Sequence, residues 1–127
     1  GRDLTIVGMG VMVGLALDAA EVLAGEGVEA RVLDMHTVKP LDGPALERAA
    51  QETGALVTAE DHTILGGLGG AVAEHLAGHN PVPLMRVGVP DVFCRSGDPA
   101  DLFSMYGMGV QDIVHAAHQA LARKQER

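Results

Sequence analysis

Cysteine and aromatic residues are scarce in this chain. Its 127 residues contain one cysteine, one tyrosine, two phenylalanines and no tryptophan. A single cysteine excludes an internal disulfide and is typical of a reducing compartment. Hydrophobic residues nevertheless make up 47% of the chain, so the core must be packed from aliphatic side chains. A chain of this length is expected to form one domain and to bury roughly two-thirds of its unfolded surface.

Basic residues and long apolar runs are also lacking. Nine Lys and Arg residues stand against 17 Asp and Glu residues, and the formal net charge is −8. This balance argues against nucleic acid or an anionic membrane surface as a partner, because both bind clustered positive charge. No apolar run approaches the roughly 20 residues of a membrane span, and no signal-peptide pattern precedes the first predicted strand. We therefore expect a cytoplasmic protein. The first residue, Gly1 rather than Met, suggests the cut or processed end of a longer chain.

Short apolar runs alternate with helical periodicities along the sequence. We predict strands at 4–7, 28–34, 55–59 and 84–87, and helices at 11–23, 43–53, 68–77, 98–104 and 110–123. Strands separated by helices of this length are typical of a mostly parallel sheet that is covered on both faces. No internal repeat or interdomain linker interrupts the pattern. The sequence therefore predicts a single α/β domain over residues 1–127.

The first predicted strand is followed by a glycine pattern that is similar to a dinucleotide fingerprint. Gly8 and Gly10 flank Met9, Gly14 lies in the next helix, and Asp34 ends the second predicted strand. In such a fingerprint the glycines approach a pyrophosphate and the acid binds a ribose. The third glycine here falls one residue late, and any tight strand-to-helix turn favours glycine. We favour a simple turn, and a free-standing nucleotide-binding regulatory module remains the alternative.

Two histidine pairs have spacings that are found among metal ligands. His75 and His79 are four residues apart, and His115 and His118 are three apart, so each pair could share a helix face. No cysteine or acid stands at a complementary spacing, and Gly78 is expected to end its helix before His79. We therefore predict solvated histidines and no metal site.

The single cysteine, Cys94, is a candidate nucleophile. Arg95 is next to it in the sequence and could lower the pKa of the thiol. A nucleophile also needs an oriented base, and no spacing in the sequence identifies one. We predict a small buried or half-buried cysteine without a catalytic role.

The segment 55–73 is the most informative part of the chain. A short apolar run ends in Glu60, Asp61 and His62, four glycines follow within 66–70, and a helical pattern then begins. Ligands and partners gather at the carboxyl ends of strands in open α/β sheets. A carboxylate and an imidazole there could act as an acid–base pair. They could equally cap the helix start, where backbone N–H groups lack partners, or face another polypeptide. We favour a bend and interface role for these residues: Glu60, His62, Gly66, Gly67 and Gly69.

Five motifs in order resemble the C-terminal domain of transketolase-type, thiamine-diphosphate-dependent enzymes. They are D-L-T-I-V-G-M-G-V-M-V at 3–13, T-V-K-P-L-D at 37–42, V-T-A-E-D-H-T-I-L-G-G-L-G-G-A-V-A-E at 57–74, G-V-P-D-V-F-C-R-S-G at 88–97 and L-F-S-M-Y-G-M at 102–108. The resemblance runs from Asp3 to about Leu121, and Gly70 stands where the family usually has serine. The pairing of R-S-G with L-x-x-x-Y-G is most similar to transketolases made as two separate chains.

The resemblance implies a fold and a division of labour. The expected fold is a three-layer α/β/α domain with a five-strand mixed sheet, in which one strand is antiparallel. Four strands are found from the sequence pattern, so the fifth either falls within 89–93 or escapes the pattern. The complete enzyme would transfer a two-carbon ketol unit between sugar phosphates with thiamine diphosphate and Mg²⁺. The family holds that cofactor through a G-D-G…N motif and a glutamate in other domains, and no G-D-G occurs here.

The resemblance therefore implies no catalytic, cofactor-binding or metal-binding residue in this chain, which we expect to be inactive alone. The implied role is assembly: completing a subunit and supporting a dimer together with the remaining transketolase domains or subunit. Two related alternatives are a partner-docking domain of a 2-oxoacid dehydrogenase β-subunit and the corresponding domain of 1-deoxyxylulose-5-phosphate synthase.

Overall fold

The computed structural model describes residues 1–36, 41–63, 67–89 and 109–126. Four strands and four helices alternate along these residues: β1 (Leu4–Gly8), α1 (Met12–Gly25), β2 (Ala30–Asp34), α2 (Gly43–Thr53), β3 (Leu56–Thr63), α3 (Leu68–His79), β4 (Leu84–Val89) and α4 (Val110–Gln125). The predicted helix at 98–104 and the candidate nucleophile Cys94, with its neighbour Arg95, lie outside the described residues.

The four strands form one parallel sheet in the order β2-β1-β3-β4. The predicted α/β architecture with a mostly parallel sheet is thereby confirmed. The described residues contain no fifth strand and no antiparallel pair. Of the segment 89–93, where the fifth strand was expected, only Val89 is described, and it belongs to β4. The fifth, antiparallel strand therefore stays a prediction.

Two aliphatic clusters cover the two faces of the sheet. The first joins α1 and α4 to one face through residues such as Ile6, Leu23, Val57 and Ile113. The second joins α2 and α3 to the other face, with Val7, Leu46, Leu56, Val72 and Leu76 among its members. Successive strand residues point to opposite faces, so Ile6 and Val7 enter different clusters. The described core is aliphatic, as the composition requires.

The helix ends follow local capping rules at several positions. The Asp42 side chain accepts a hydrogen bond from the Ala45 N–H at 3.2 Å, and Pro44 stands in the first turn of α2. That helix ends at Gly54, whose φ of 73° is in the left-handed region that glycine adopts without strain. Asp112 in the first turn of α4 accepts a hydrogen bond from the Gly109 N–H at 2.9 Å. Among the helices of the described residues, none combines the length and apolar character that a membrane crossing requires.

Candidate functional site

Glu60 lies in the second half of β3 and is directed to the start of α3. Its side chain is 1% exposed, and its two carboxylate oxygens accept hydrogen bonds from the backbone N–H groups of Leu68 at 2.7 Å and Gly69 at 3.1 Å. These N–H groups have no partner inside the helix, and a negative charge is favoured at a helix N-terminus. The residue at the N-cap position, Gly67, has no side chain that could serve. A strand residue therefore caps the helix.

Gly67 and Gly69 allow this close approach between β3 and α3. A Cβ atom on Gly67 would lie 2.6 Å from Glu60 Oε1 and 2.8 Å from Glu60 Cδ. A Cβ atom on Gly69 would lie 2.9 Å from Arg86 Cδ and 3.0 Å from Thr58 Oγ1. Both positions need glycine for space rather than for a positive φ. Gly70 differs, because nothing in residues 1–36, 41–63, 67–89 and 109–126 lies within 4 Å of a Cβ there, so the serine of the family pattern would fit.

The remaining residues of the predicted bend and interface lie outside this geometry. Gly66 is not among the described residues, and the side chains of Asp61 and His62 are not described either, although β3 includes both positions. β3 runs to Thr63 rather than ending at residue 59, and its register with β4 shifts between Ala59 and Thr63. The predicted strand end was too early because three polar residues do not have the pattern of a buried strand. The interface role of the segment stays a prediction.

Gly8 and Gly10, which follow the predicted first strand, are both required by the turn between β1 and α1. Gly10 has a φ of 64°, and a Cβ atom on Gly8 would lie 3.2 Å from Val13 Cα, where α1 packs against the strand end. The backbone N–H of Met9 donates to the Ala59 carbonyl at 3.1 Å, and the N–H of Val13 donates to the Gly10 carbonyl at 3.2 Å. These contacts explain both glycines without a pyrophosphate. Asp34 ends β2 in register with Gly8, exposed to solvent.

The first histidine pair departs from its prediction. α3 continues through Gly78 to His79, and Asn80 is its C-cap, so the prediction that Gly78 ends the helix before His79 is wrong. The helix tolerates Gly78 because the Asn80 N–H still bonds the Leu76 carbonyl at 2.9 Å. His75 is only 20% exposed at its side chain, so it is not the solvated residue that we expected.

His75 is enclosed by α2. A Cβ atom on Gly43 would lie 2.7 Å from His75 Cε1, so the imidazole packs against the glycine at the start of α2. His75 Nε2 lies 3.7 Å from Glu47 Oε2 and is a buried atom without a hydrogen-bond partner among the described residues. His79 is exposed, and its ring stacks on His75 with 4.2 Å between centroids and 14° between planes. Sequence spacing gave no sign of this environment, because Glu47 and Gly43 belong to another helix.

The second histidine pair agrees with its prediction. His115 and His118 are both exposed on α4. His118 Nε2 lies 2.8 Å from Glu26 Oε1, at the end of α1, which makes an exposed contact between the two helices. The prediction that these two residues are solvated is confirmed.

Comparison with known proteins gives a consistent family. Residues 1–113 match the family described as the C-terminal domain of transketolase. The chain is 50% identical over 127 residues to a 6-deoxy-6-sulfo-D-fructose transketolase subunit from Clostridium sp. strain MSTE9 and covers 39% of that protein. It is 41% identical over 129 residues to a 1-deoxy-D-xylulose-5-phosphate synthase from Desulforudis audaxviator and covers 20% of it. In both comparisons all of this chain is aligned.

A solved structure agrees with these relatives. The chain matches a split-gene transketolase, described as an inactive β4 tetramer, with a TM-score of 0.94 and 48% identity over 98% of this chain and 41% of the other. The chain belongs to the transketolase C-terminal domain family. The resemblance drawn from the five motifs is thereby confirmed. The chain spans well under half the length of these relatives, so the activity of a complete protein has to be proposed.

Proposed function

We propose that this chain is the C-terminal assembly domain of a two-chain transketolase. In the complete enzyme, a two-carbon ketol unit would pass between sugar phosphates, and this domain would support the association of subunits instead of supplying reacting groups. The proposal rests on the structural role of Glu60 as the cap of α3. Its buried carboxylate already accepts two backbone hydrogen bonds at the start of α3, which is a structural task at the position where a catalytic acid was the alternative.

The start of α3 does not fit the diphosphate of thiamine diphosphate. The Glu60 carboxylate already occupies the N–H groups of Leu68 and Gly69 at the start of α3. A diphosphate brought there would face that buried negative charge, and like charges in a weakly polarisable interior repel strongly. The sequence also lacks the G-D-G motif. We therefore assign the cofactor and Mg²⁺ of the proposed enzyme to other parts of the complete protein.

The assembly role is tested at Gly70, where the chain itself leaves room. Since no atom of the described residues lies within 4 Å of a Cβ at this position, Gly70→Leu should leave the fold of the domain intact and obstruct a neighbouring subunit. Gly78→Leu is the matched control, because Gly78 is in the same helix, at its opposite end, and is equally open. Gly67→Val is a poor test, because its side chain would collide with Glu60 inside the same chain.

The measurement is the oligomeric state of the complete protein by sedimentation velocity across a dilution series. We expect Gly70→Leu to dissociate at concentrations at which Gly78→Leu and the unaltered protein remain assembled. Unchanged association in Gly70→Leu would remove this segment from the subunit interface.

His62 is tested separately from assembly. We propose that it holds the bend of the interface segment, so His62→Ala should weaken assembly. If the imidazole is the partner of a buried polar group, the loss should be about 1–3 kcal/mol. Single-turnover kinetics at protein concentrations that keep the variant assembled would then show a near-normal chemical step. A large loss of that step in the assembled variant would make His62 catalytic and contradict the proposal.

A second candidate function rests on the similarity to 1-deoxy-D-xylulose-5-phosphate synthase. The same assembly role would apply, with a different reaction in the complete protein. Product analysis of the complete protein separates the two: ketol transfer between sugar phosphates supports the transketolase, and formation of 1-deoxyxylulose 5-phosphate supports the synthase. A 2-oxoacid dehydrogenase β-subunit would show neither product and would bind a partner enzyme of its complex.

A further inference from the structure

Two helices on one face of the sheet bring together three groups that commonly bind metals. One ring nitrogen each from His75 and His79 and one carboxylate oxygen of Glu47 lie within 4.8 Å of one another. The histidines are four residues apart on α3, and the glutamate is on α2. Residues four apart on a helix share one face, so the two imidazoles are presented together toward the neighbouring helix.

His75 supplies the strongest indication of a ligand. Its Nε2 atom is buried and makes no hydrogen bond within the part of the chain that the structure describes, and the Glu47 Oε2 atom lies 3.7 Å away, too far for a hydrogen bond. Buried polar atoms are rarely left without a partner. An ion placed between the imidazole nitrogen and the carboxylate would satisfy both, at the position where the two already approach each other.

The tautomer of His79 suits a metal ligand. Its Nδ1 atom lies 2.7 Å from the His75 carbonyl oxygen, which only accepts, so the ring donates through Nδ1–H, and Nε2 is the nitrogen that carries the lone pair in the neutral ring. A backbone carbonyl that fixes the tautomer in this way is a common second partner of metal-binding histidines. The ring is exposed, so it is free to tilt out of its stack on His75 toward a shared ion.

We propose that Glu47, His75 and His79 form a zinc site that links α2 to α3. Two imidazoles and one carboxylate are a ligand set that zinc accepts, at about 2.0–2.2 Å from each ligand atom, with water completing the tetrahedron. Ligand atoms of a tetrahedral zinc ion lie about 3.4 Å apart at these bond lengths. Closing the present spread to this value needs a rotamer change in Glu47 and a tilt of the His79 ring about its Nδ1–H hydrogen bond, which can stay in place. These are the two more exposed members of the set.

The site differs from the sequence prediction for an identifiable reason. Spacing alone offered no third ligand for His75 and His79. Packing of α2 on α3 supplies Glu47, and the absence of a side chain at Gly43 lets the His75 ring lie against the start of α2. The site is far along α3 from the Glu60 cap, at the other end of the same helix, so it does not depend on the proposed assembly surface.

The test is metal binding by the complete protein and by two variants at exposed or half-exposed ligands. His79→Ala and Glu47→Gln leave the sheet and both core clusters untouched, so both should fold, which circular dichroism checks. The matched control is His115→Ala combined with His118→Ala, which removes the other helical histidine pair of the described chain. Zinc affinity and stoichiometry are measured by competition with a chromogenic chelator, and geometry by the visible absorption of Co²⁺.

We expect the unaltered protein and the α4 control to bind one more equivalent of Zn²⁺ than His79→Ala. Affinity for that equivalent should fall about tenfold or more in Glu47→Gln, because loss of a direct ligand costs at least as much as loss of an outer-shell partner. Co²⁺ should give the intense visible bands of a tetrahedral site in the unaltered protein and in the control only. Equal stoichiometry and affinity in His79→Ala, or loss of the bands in the α4 control alone, would overturn the site.

Discussion

At the scale of single residues, Glu60 joins two elements through one carboxylate. Glu60→Gln keeps the shape of the side chain but turns an N–H donor toward a backbone N–H at the start of α3. We expect the free energy of unfolding to fall by about 1–3 kcal/mol, because one buried donor loses its partner. Urea denaturation followed by far-ultraviolet circular dichroism measures the change.

The control for this prediction is another glutamate with a partner near 2.7 Å. Glu52 bonds Arg31 at that distance, but its side chain is 47% exposed. Glu52→Gln should change stability by less than about 1 kcal/mol, as exposed ion pairs contribute little. If the two glutamine variants lose equal stability, the capping hydrogen bonds of Glu60 contribute no more to the free energy of unfolding than an exposed ion pair does.

Two neighbouring glycines should respond in opposite directions to one added methyl group. Gly67→Ala would place its Cβ against the Glu60 carboxylate and should destabilise the protein by more than about 1 kcal/mol, as overpacking of a filled site does. Gly70→Ala meets no atom within 4 Å in the described part of the chain and should stabilise it by about 0.5–1 kcal/mol, because alanine has the better helix propensity. Thermal unfolding of both variants under the same conditions shows whether each melting temperature rises or falls. Equal shifts would show that the space around Gly67 is not limiting.

These residues also mark the limit of sequence reasoning. The glycine cluster and a capping role for a strand-end carboxylate were among the predicted possibilities. The hydrogen-bond partners of Glu60 could not be predicted from the sequence. An N-cap side chain normally bonds the N–H groups two or three residues ahead, whereas Glu60 bonds Leu68 and Gly69, which are eight and nine residues ahead. The burial of His75 depends on Glu47 and Gly43, and no local rule connects residues on two different helices.

At the scale of elements, a pair of threonine hydroxyls connects β1 to the end of α2. Thr53 Oγ1 donates to the Ala49 carbonyl at 2.7 Å, so it accepts the hydrogen bond from Thr5 Oγ1 at 2.9 Å. Both residues are buried. Thr53→Val leaves the Thr5 hydroxyl without that acceptor, and we expect a loss of about 1–3 kcal/mol.

The double variant separates this contact from simple methyl-for-hydroxyl exchange. Thr5→Val together with Thr53→Val leaves no unpaired hydroxyl, so its loss should be smaller than the sum of the two single losses. A double-mutant cycle by chemical denaturation gives the coupling, for which contacting residues reach about 0.5–3 kcal/mol. Strict additivity would show that the two hydroxyls do not interact in solution.

Element types were more predictable than element ends. All four described strands and all four described helices coincide with predicted segments, because alternation of apolar runs and helical periodicity is a local property. β3 and α3 both extend beyond their predicted ends. The strand continues through a polar tip because neighbouring strand β4 supplies backbone partners, and the helix passes Gly78 because its hydrogen bonds continue to Asn80.

At the scale of the whole molecule, the proposed role makes a prediction about the isolated chain. Isothermal titration with thiamine diphosphate and Mg²⁺ should show no saturable heat, because the cofactor motifs of the family are not in this sequence. The complete enzyme, titrated under the same conditions, is the positive control. Saturable binding to the isolated chain would assign part of the cofactor site to this domain and contradict the proposed division of labour.

The nucleotide alternative has its own test. If Gly8 and Gly10 only form a turn, NAD, NADP and ATP at millimolar concentration should leave the melting temperature unchanged. Binding at a hundredfold excess over the dissociation constant would add about 2.7 kcal/mol, which a thermal shift detects. A shift that Asp34→Ala abolishes would restore the nucleotide-binding interpretation.

The architecture could be predicted as a class, and its strand order could not. Parallel pairing follows from helical crossovers between strands, but the central place of β1, between β2 and β3, depends on contacts between distant segments. The five-strand count came from the family resemblance alone, and only four strands lie in the described residues.

The contact between α4 and the residue that precedes β1 has a kinetic consequence. Lys124 Nζ donates to the Asp3 carbonyl at 2.9 Å, and α4 packs on the α1 side of the sheet. Contacts between residues so far apart in the sequence slow folding. The entropy of closing the long loop between them rises only slowly with its length, so the cost in stability is small. During synthesis, which runs from the N-terminus, the apolar face around Ile6 and Met12 emerges long before Ile113 arrives to cover it. Docking of α4 is therefore expected to be a late folding step, and until then the nascent domain presents its apolar face to chaperones and to other chains.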